Sequence, residues 1–175
     1  WDDVVLNSNE GTLFHTWKWL KIMEKHSAMN FLRHRYLGKL YPIVVWEGEE
    51  IIGLMPVFFY DIPFKKMTLS PPPFALGIPY LGPVMKKQCG LKSNKKQSIF
   101  HEFQKKIDDF LKLTLRSNYI QIKTAPGISD LRPYVWSNYQ IIPRFTYLID
   151  LTVGKNTVWE NFHLNTRKKI KKANT

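Results

Sequence analysis

Five cations crowd the last stretch of the chain: Arg167, Lys168, Lys169, Lys171 and Lys172. An arginine guanidinium can grip a phosphate through two parallel hydrogen bonds, and clustered lysines add field around it. Such a pattern offers recognition of an anionic, phosphorylated ligand, with a solvated basic helix as the structural alternative. A second segment, 70–83, is dense in proline and glycine. Prolines fix φ and glycines admit unusual backbone angles, so this segment can line a cleft with little ordering cost on binding. The alternative is a rigid packed connector. Nucleophilic and metal chemistry have poorer footing. His15, His26, His34, His101 and His163 are scattered, with no pair at zinc-ligand spacing. Cys89 carries no local signature of a catalytic thiol; as the single cysteine it excludes an internal disulfide and points to a reducing compartment.

The elements that position these groups follow from periodicity. Phe14, Trp17, Leu20 and Met23 recur at three- and four-residue spacing, which predicts a helix over 15–25. The β-branched and aromatic runs 43–46 and 51–60 flank Gly48 as a hairpin. Pro56 within the second run demands an edge position or a bulge. A short strand is expected over 66–70, then an irregular extended path over 71–83. Across 94–116, Ile99, Phe103, Ile107, Phe110 and Leu111 form one apolar stripe, leaving Lys95, Lys96, Lys105, Asp108, Asp109 and Lys112 to solvent. Residues 119–123 alternate like a half-buried strand, a short helix or turn falls at 130–136, and 145–151 reads as a further strand. Thr157 and Glu160 have capping-box spacing for a helix start. Asn165 or Thr166 then caps a second helix, or the two form one bent helix. This order predicts a single α+β domain over 1–175, with a mixed, largely antiparallel sheet flanked by helices.

The chain has 175 residues, 44% of them hydrophobic, enough to bury a real core. Its formal charge of +12 favours anionic partners: nucleic acid, phosphorylated small molecules or an acidic membrane surface. The longest apolar stretch, 69–85, carries five prolines and cannot span a bilayer as a helix. Trp1, Asp2 and Asp3 put acid where a signal peptide needs base. A cytoplasmic location is expected, with the inner membrane face as a peripheral alternative. The absent initiator methionine, and a freshly capped helix at the other end, suggest a piece cut from a larger protein.

The end of the chain carries a resemblance. Trp159 and Phe162, followed by Arg167, Lys168, Lys169, Ile170, Lys171, Lys172 and Ala173, resemble the helix that joins the two halves of the FemAB family. These are peptidoglycan interpeptide-bridge aminoacyltransferases, related to GNAT acyltransferases. Three more segments fit in order: 11–20 with its tryptophans resembles the opening helix, 46–56 the early strand pair, and 70–83 the proline- and glycine-rich segment. The likeness covers only the family's N-terminal half. It implies a GNAT-like sheet, an acceptor-side role, and a connection starting at 155–175 toward a C-terminal half.

The resemblance also implies sites. Lys18 and Trp19 of the opening helix, and Pro73, Phe74, Gly77 and Tyr80 of the proline-rich segment, would border the acceptor cleft, with Arg167 and Lys168 near acceptor phosphates. The full enzyme would move an aminoacyl or acyl group from a tRNA ester or CoA thioester to an amine on a cell-envelope precursor or polysaccharide. No cofactor or metal is expected on this half, which would be inactive alone. Its partners would be its own C-terminal half and a phosphorylated acceptor, with tRNA and a membrane surface as further partners. Proton removal would be substrate-assisted, since no general base stands out. The GNAT donor pattern, Gln/Arg-x-x-Gly-x-Gly/Ala, has its nearest match at 35–40, where Leu40 replaces a small residue ahead of the first strands. That match reads as coincidence, and the donor site is expected beyond Thr175. The coiled-coil insertion of many tRNA-dependent members does not occur before Thr175, which leaves the donor open.

Two alternatives remain: a nucleic-acid-binding module without catalysis, and a peripheral membrane protein. Against the first, the aromatics sit at core spacing rather than interleaved with the basic clusters. Against the second, no basic helix shows a wide apolar face.

Overall fold

A computed structural model of the chain describes residues 1–73 and 77–173. It divides into two compact units, 1–141 and 142–175. The class is mixed α+β with a mostly antiparallel open sheet.

The first unit opens with α1 (Asp2–Leu6), a 3-10 turn (Leu13–His15) and α2 (Trp17–His26). Strands β1 (Met29–Phe31) and β2 (His34–Tyr36) form a hairpin that the hydrophobic pattern does not announce. Its turn residues Leu32 and Arg33 hold φ of 46° and 66°, where Asn and Gly are the usual occupants. The main sheet comprises β3 (Lys39–Glu47), β4 (Glu50–Ile62), β5 (Lys65–Ser70) and β7 (Tyr119–Ile122) in that order, with β6 (Val84–Met85) pairing β4. All neighbours are antiparallel except β5 and β7, which run parallel across the crossover made by α3 (Ser93–Asp109). Helix α4 (Arg132–Trp136) closes the unit.

Strand β4 is buried without a break from Ile52 to Phe58 because both sheet faces are covered. On one face Met55 and Val57 pack against Ile99, Phe103, Ile107 and Leu111, the apolar stripe of α3. On the other, Phe58, Tyr60 and Ile62 meet Leu20 and Met23 of α2, together with Ile78 and Leu81. Gly53 lets the α3 side approach: a Cβ there would stand 2.7 Å from the Phe103 ring.

Four expectations are corrected. Pro56 lies on a central strand, not at an edge or bulge. The register sets it opposite Pro42, and on the other side it falls in the gap between the residues paired to β5 and those paired to β6, so its missing N–H leaves no ladder bond unmade. Asp108 is buried rather than solvated: Tyr139 and Gln104 donate to its Oδ1 at 2.7 and 2.9 Å. Just beyond it the helix widens into a π turn (Phe110–Thr114), with Leu115 N–H donating to Phe110 C=O at 3.0 Å.

The other two corrections concern the second unit. Residues 145–151 form no strand; among the described residues of this unit no strand lies beside them to complete a ladder. Phe145 and Tyr147 are 97% and 99% exposed. Helix α5 (Lys155–Asn161) starts at Gly154, ahead of the expected capping box, and no side chain caps it. The chain breaks at Phe162, so α6 (Leu164–Ala173) is a separate helix whose start is capped by His163, with Asn165 N–H donating to its Nδ1 at 3.3 Å.

Candidate functional site

The segment that follows β5 is tied down at both ends. Ser70 Oγ donates to Pro56 C=O at 2.7 Å and accepts from Gly82 N–H at 3.0 Å. Leu81 N–H donates to Lys123 C=O, and Lys123 N–H to Ser70 C=O, at 2.8 and 2.7 Å. Gly82 has φ of 79°, and a Cβ there would lie 3.0 Å from Thr124 Cα, so glycine is required by both conformation and space. Ile78 and Leu81 plug into the core. Among the described residues between these anchors, Gly77 and Pro79 are exposed while Pro73 and Tyr80 are half-buried.

The turn before α2 meets this segment. His15 is fully buried: Thr12 N–H donates to its Nδ1 at 3.2 Å, so Nε2 carries the proton and donates to Leu81 C=O at 3.0 Å. Desolvation by burial lowers its pKa to about 4, against the support of the backbone carbonyl bond. A neutral, buried imidazole can position the segment but has no access to abstract a substrate proton. Next to it, Phe14 stands between two rings, 5.9 Å from Trp19 and 5.9 Å from Tyr80.

Of the residues singled out by sequence, Trp19 and Tyr80 are thus brought together on Phe14. Trp19 is half-buried, and among the described residues its shielded indole N–H has no hydrogen-bond partner. Lys18 is exposed on the same helix. Phe74 lies outside the described residues. Arg167 and Lys168 belong to α6 in the second unit; Arg167 is half-buried, its Nε without a hydrogen-bond partner among the described residues, and Lys168 is exposed. Sequence reasoning missed Phe14 and His15, whose roles depend on a tertiary contact. Only the position of His15 beside the opening helix hinted at it.

In the 35–40 segment, Gly38 serves packing: a Cβ there would come within 2.5 Å of the Tyr60 ring. Among the described residues, no group of three or more His, Cys, Asp or Glu could hold a metal ion, and no helix is long and apolar enough to cross a membrane. No protein-family model matches this sequence, and neither a curated protein nor a solved structure matches it at a significant level.

Proposed function

We propose that the chain is the acceptor-side part of a FemAB-like N-acyltransferase with a GNAT-like sheet. One observation carries this reading: Phe14 joins Trp19 of the opening helix to Tyr80 of the proline-rich segment, the two segments that the resemblance assigns to the acceptor cleft. An aromatic wall of this kind offers an acceptor a contact surface at low ordering cost. With His15 buried and neutral, no residue of this wall removes the amine proton, so substrate-assisted transfer fits it best. The donor, aminoacyl-tRNA or acyl-CoA, engages other parts of the full-length protein.

Calorimetric titration with a phosphorylated, amine-bearing envelope precursor tests the acceptor side, and transfer assays with each donor on the full-length gene product test the reaction. Acceptor binding that Tyr80→Ala weakens is expected. A chain that binds no such precursor and a full-length protein that transfers from neither donor overturn the reading.

A second reading has its own support in the exposed Phe145 and Tyr147 and the exposed Lys168, Lys169 and Lys171 of α6. Bare aromatics and cations in one unit are the means by which single-stranded nucleic acid is stacked and neutralised. Steeply salt-dependent binding of single-stranded RNA, lost in Phe145→Ala/Tyr147→Ala, is the signature of this alternative.

A further inference from the structure

A cleft of the first unit shares no lining residue with this wall. It is an open cleft of about 390 Å³ between Asn9 and Glu10, the loop after β6, the first turns of α3 and the loop at 127–130. Its floor is apolar, made by Met85, Phe100 and Ile128, which also pack on the α3 core. Its rim is cationic, from Lys86, Lys87 and Lys96.

The charges in this cleft are not evenly spent. Asp130 accepts two bonds from the Arg132 guanidinium, at 2.8 and 2.7 Å, and a third from its backbone N–H at 3.2 Å, and Glu10 accepts the Met85 N–H at 3.4 Å. Lys86 lies 3.5 Å from Glu50. Lys87 and Lys96 are exposed and, among the described residues, neither side chain makes an ion pair or hydrogen bond. Asp130 is paired with Arg132 and Glu10 spends one oxygen on a backbone amide, while two ammonium groups stand free beside the apolar lining. We infer that this cleft binds a small amphipathic anion, with its phosphate or carboxylate between Lys87 and Lys96 and its aliphatic or aromatic body on Met85 and Phe100. The volume suits a compact small molecule, and the +12 charge of the chain steers anions toward it. A cleft of this volume with an apolar lining fits one small ligand better than a polymer tracking along open cations. The inference stands apart from the transferase reading, and neither depends on the other.

The single cysteine of the chain, Cys89, lines this cleft and is exposed, so one thiol reports occupancy. The 175-residue chain is titrated calorimetrically with hexyl phosphate, hexanoate, methyl phosphate and hexylammonium, and Cys89 alkylation by N-ethylmaleimide is followed by mass spectrometry. Saturable binding of hexyl phosphate or hexanoate, with slowed alkylation of Cys89, is the expected result; which of the two binds identifies the head group. Affinity should fall about tenfold or more in Lys87→Gln/Lys96→Gln, because two charge-assisted contacts are lost. Methyl phosphate should bind more weakly because it covers no floor. Both lysines are surface residues, so the variant retains the fold. Absence of binding, equal binding of hexylammonium, unchanged affinity in the double variant, or ligand binding that leaves Cys89 alkylation unaltered overturns the assignment.

Discussion

His15 and Leu81, separated by 66 residues, are joined by one buried bond of 3.0 Å from the imidazole Nε2–H to the backbone carbonyl. With Thr12 N–H donating into Nδ1 and Thr12 Oγ1 2.9 Å from the same nitrogen, the neutral tautomer satisfies both sides of the ring. Protonation would place a second N–H against the Thr12 amide hydrogen.

This arrangement predicts an acid-sensitive fold. Burial holds the His15 pKa at about 4 against an ordinary 6.5. The unfolded chain therefore binds the proton first as pH falls, and stability declines between about pH 6.5 and pH 4. Above pH 6.5 the contribution is fully present; over the window it amounts to on the order of 3 kcal/mol. Urea unfolding at about pH 7 and about pH 4.5 should show the loss, and His15→Gln should flatten this part of the profile. A variant that keeps the full slope would assign the acid sensitivity to other groups.

Gly53 tests the contact between sheet and helix. Phe103 is fully buried, and its ring atom that would stand 2.7 Å from an added methyl has nowhere to retreat within the α3 core. Gly53→Ala should cost about 1 to 3 kcal/mol by overpacking. Gly48→Ala serves as the comparison, since a Cβ there meets no atom although its φ of 60° still disfavours alanine. Chemical denaturation should rank Gly53→Ala as the more damaging, with Phe103→Leu partly rescuing it.

Tyr60 closes the opposite face. Its hydroxyl donates to Ser27 C=O at 2.7 Å, and burial pushes its pKa up to about 12. Tyr60→Phe leaves that carbonyl without this donor and should cost about 1 to 3 kcal/mol. Burial also raises the pKa of Tyr134 and Tyr139, so spectrophotometric titration of Tyr60→Phe should lose one of several late-ionising tyrosines seen in the parent chain.

The parts of the fold that were legible in the sequence are those set by local period. The stripe Ile99, Phe103, Ile107 and Leu111 faces the sheet because four-residue spacing returns each side chain to one side of the helix. The hairpin at Gly48 follows from its flanking β-branched runs. What escaped depends on neighbours remote in sequence. Asp108 reads as a solvated helix position until Tyr139 folds over it. The β1–β2 turn carries Leu32 and Arg33 where turn chemistry would signal glycine. Residues 145–151 read as a strand, yet a strand needs a partner for its backbone groups and none of the second unit's described elements supplies one. In the candidate site, Trp19 and Tyr80 were named by resemblance, while Phe14 and His15, which join the two segments, are visible only in three dimensions.

Trp19 separates a functional wall from a merely structural one. Its indole N–H is shielded from solvent and unpartnered, so it contributes nothing to the fold as a donor and carries a desolvation cost of about 1 to 3 kcal/mol. Replacing it in Trp19→Phe removes that cost along with some apolar contact to Phe14, and the two changes oppose each other. Unfolding free energy should therefore move by no more than about 1 kcal/mol. An acceptor can use this donor only by displacing the groups that enclose it; if it does, affinity for the phosphorylated, amine-bearing precursor should fall about tenfold in Trp19→Phe, the worth of one hydrogen bond realised in a desolvated site. Stability and binding would then part company. A variant that binds the precursor as tightly as the parent chain would reduce Trp19 to packing and move the search for the acceptor contact to Tyr80 and Lys18.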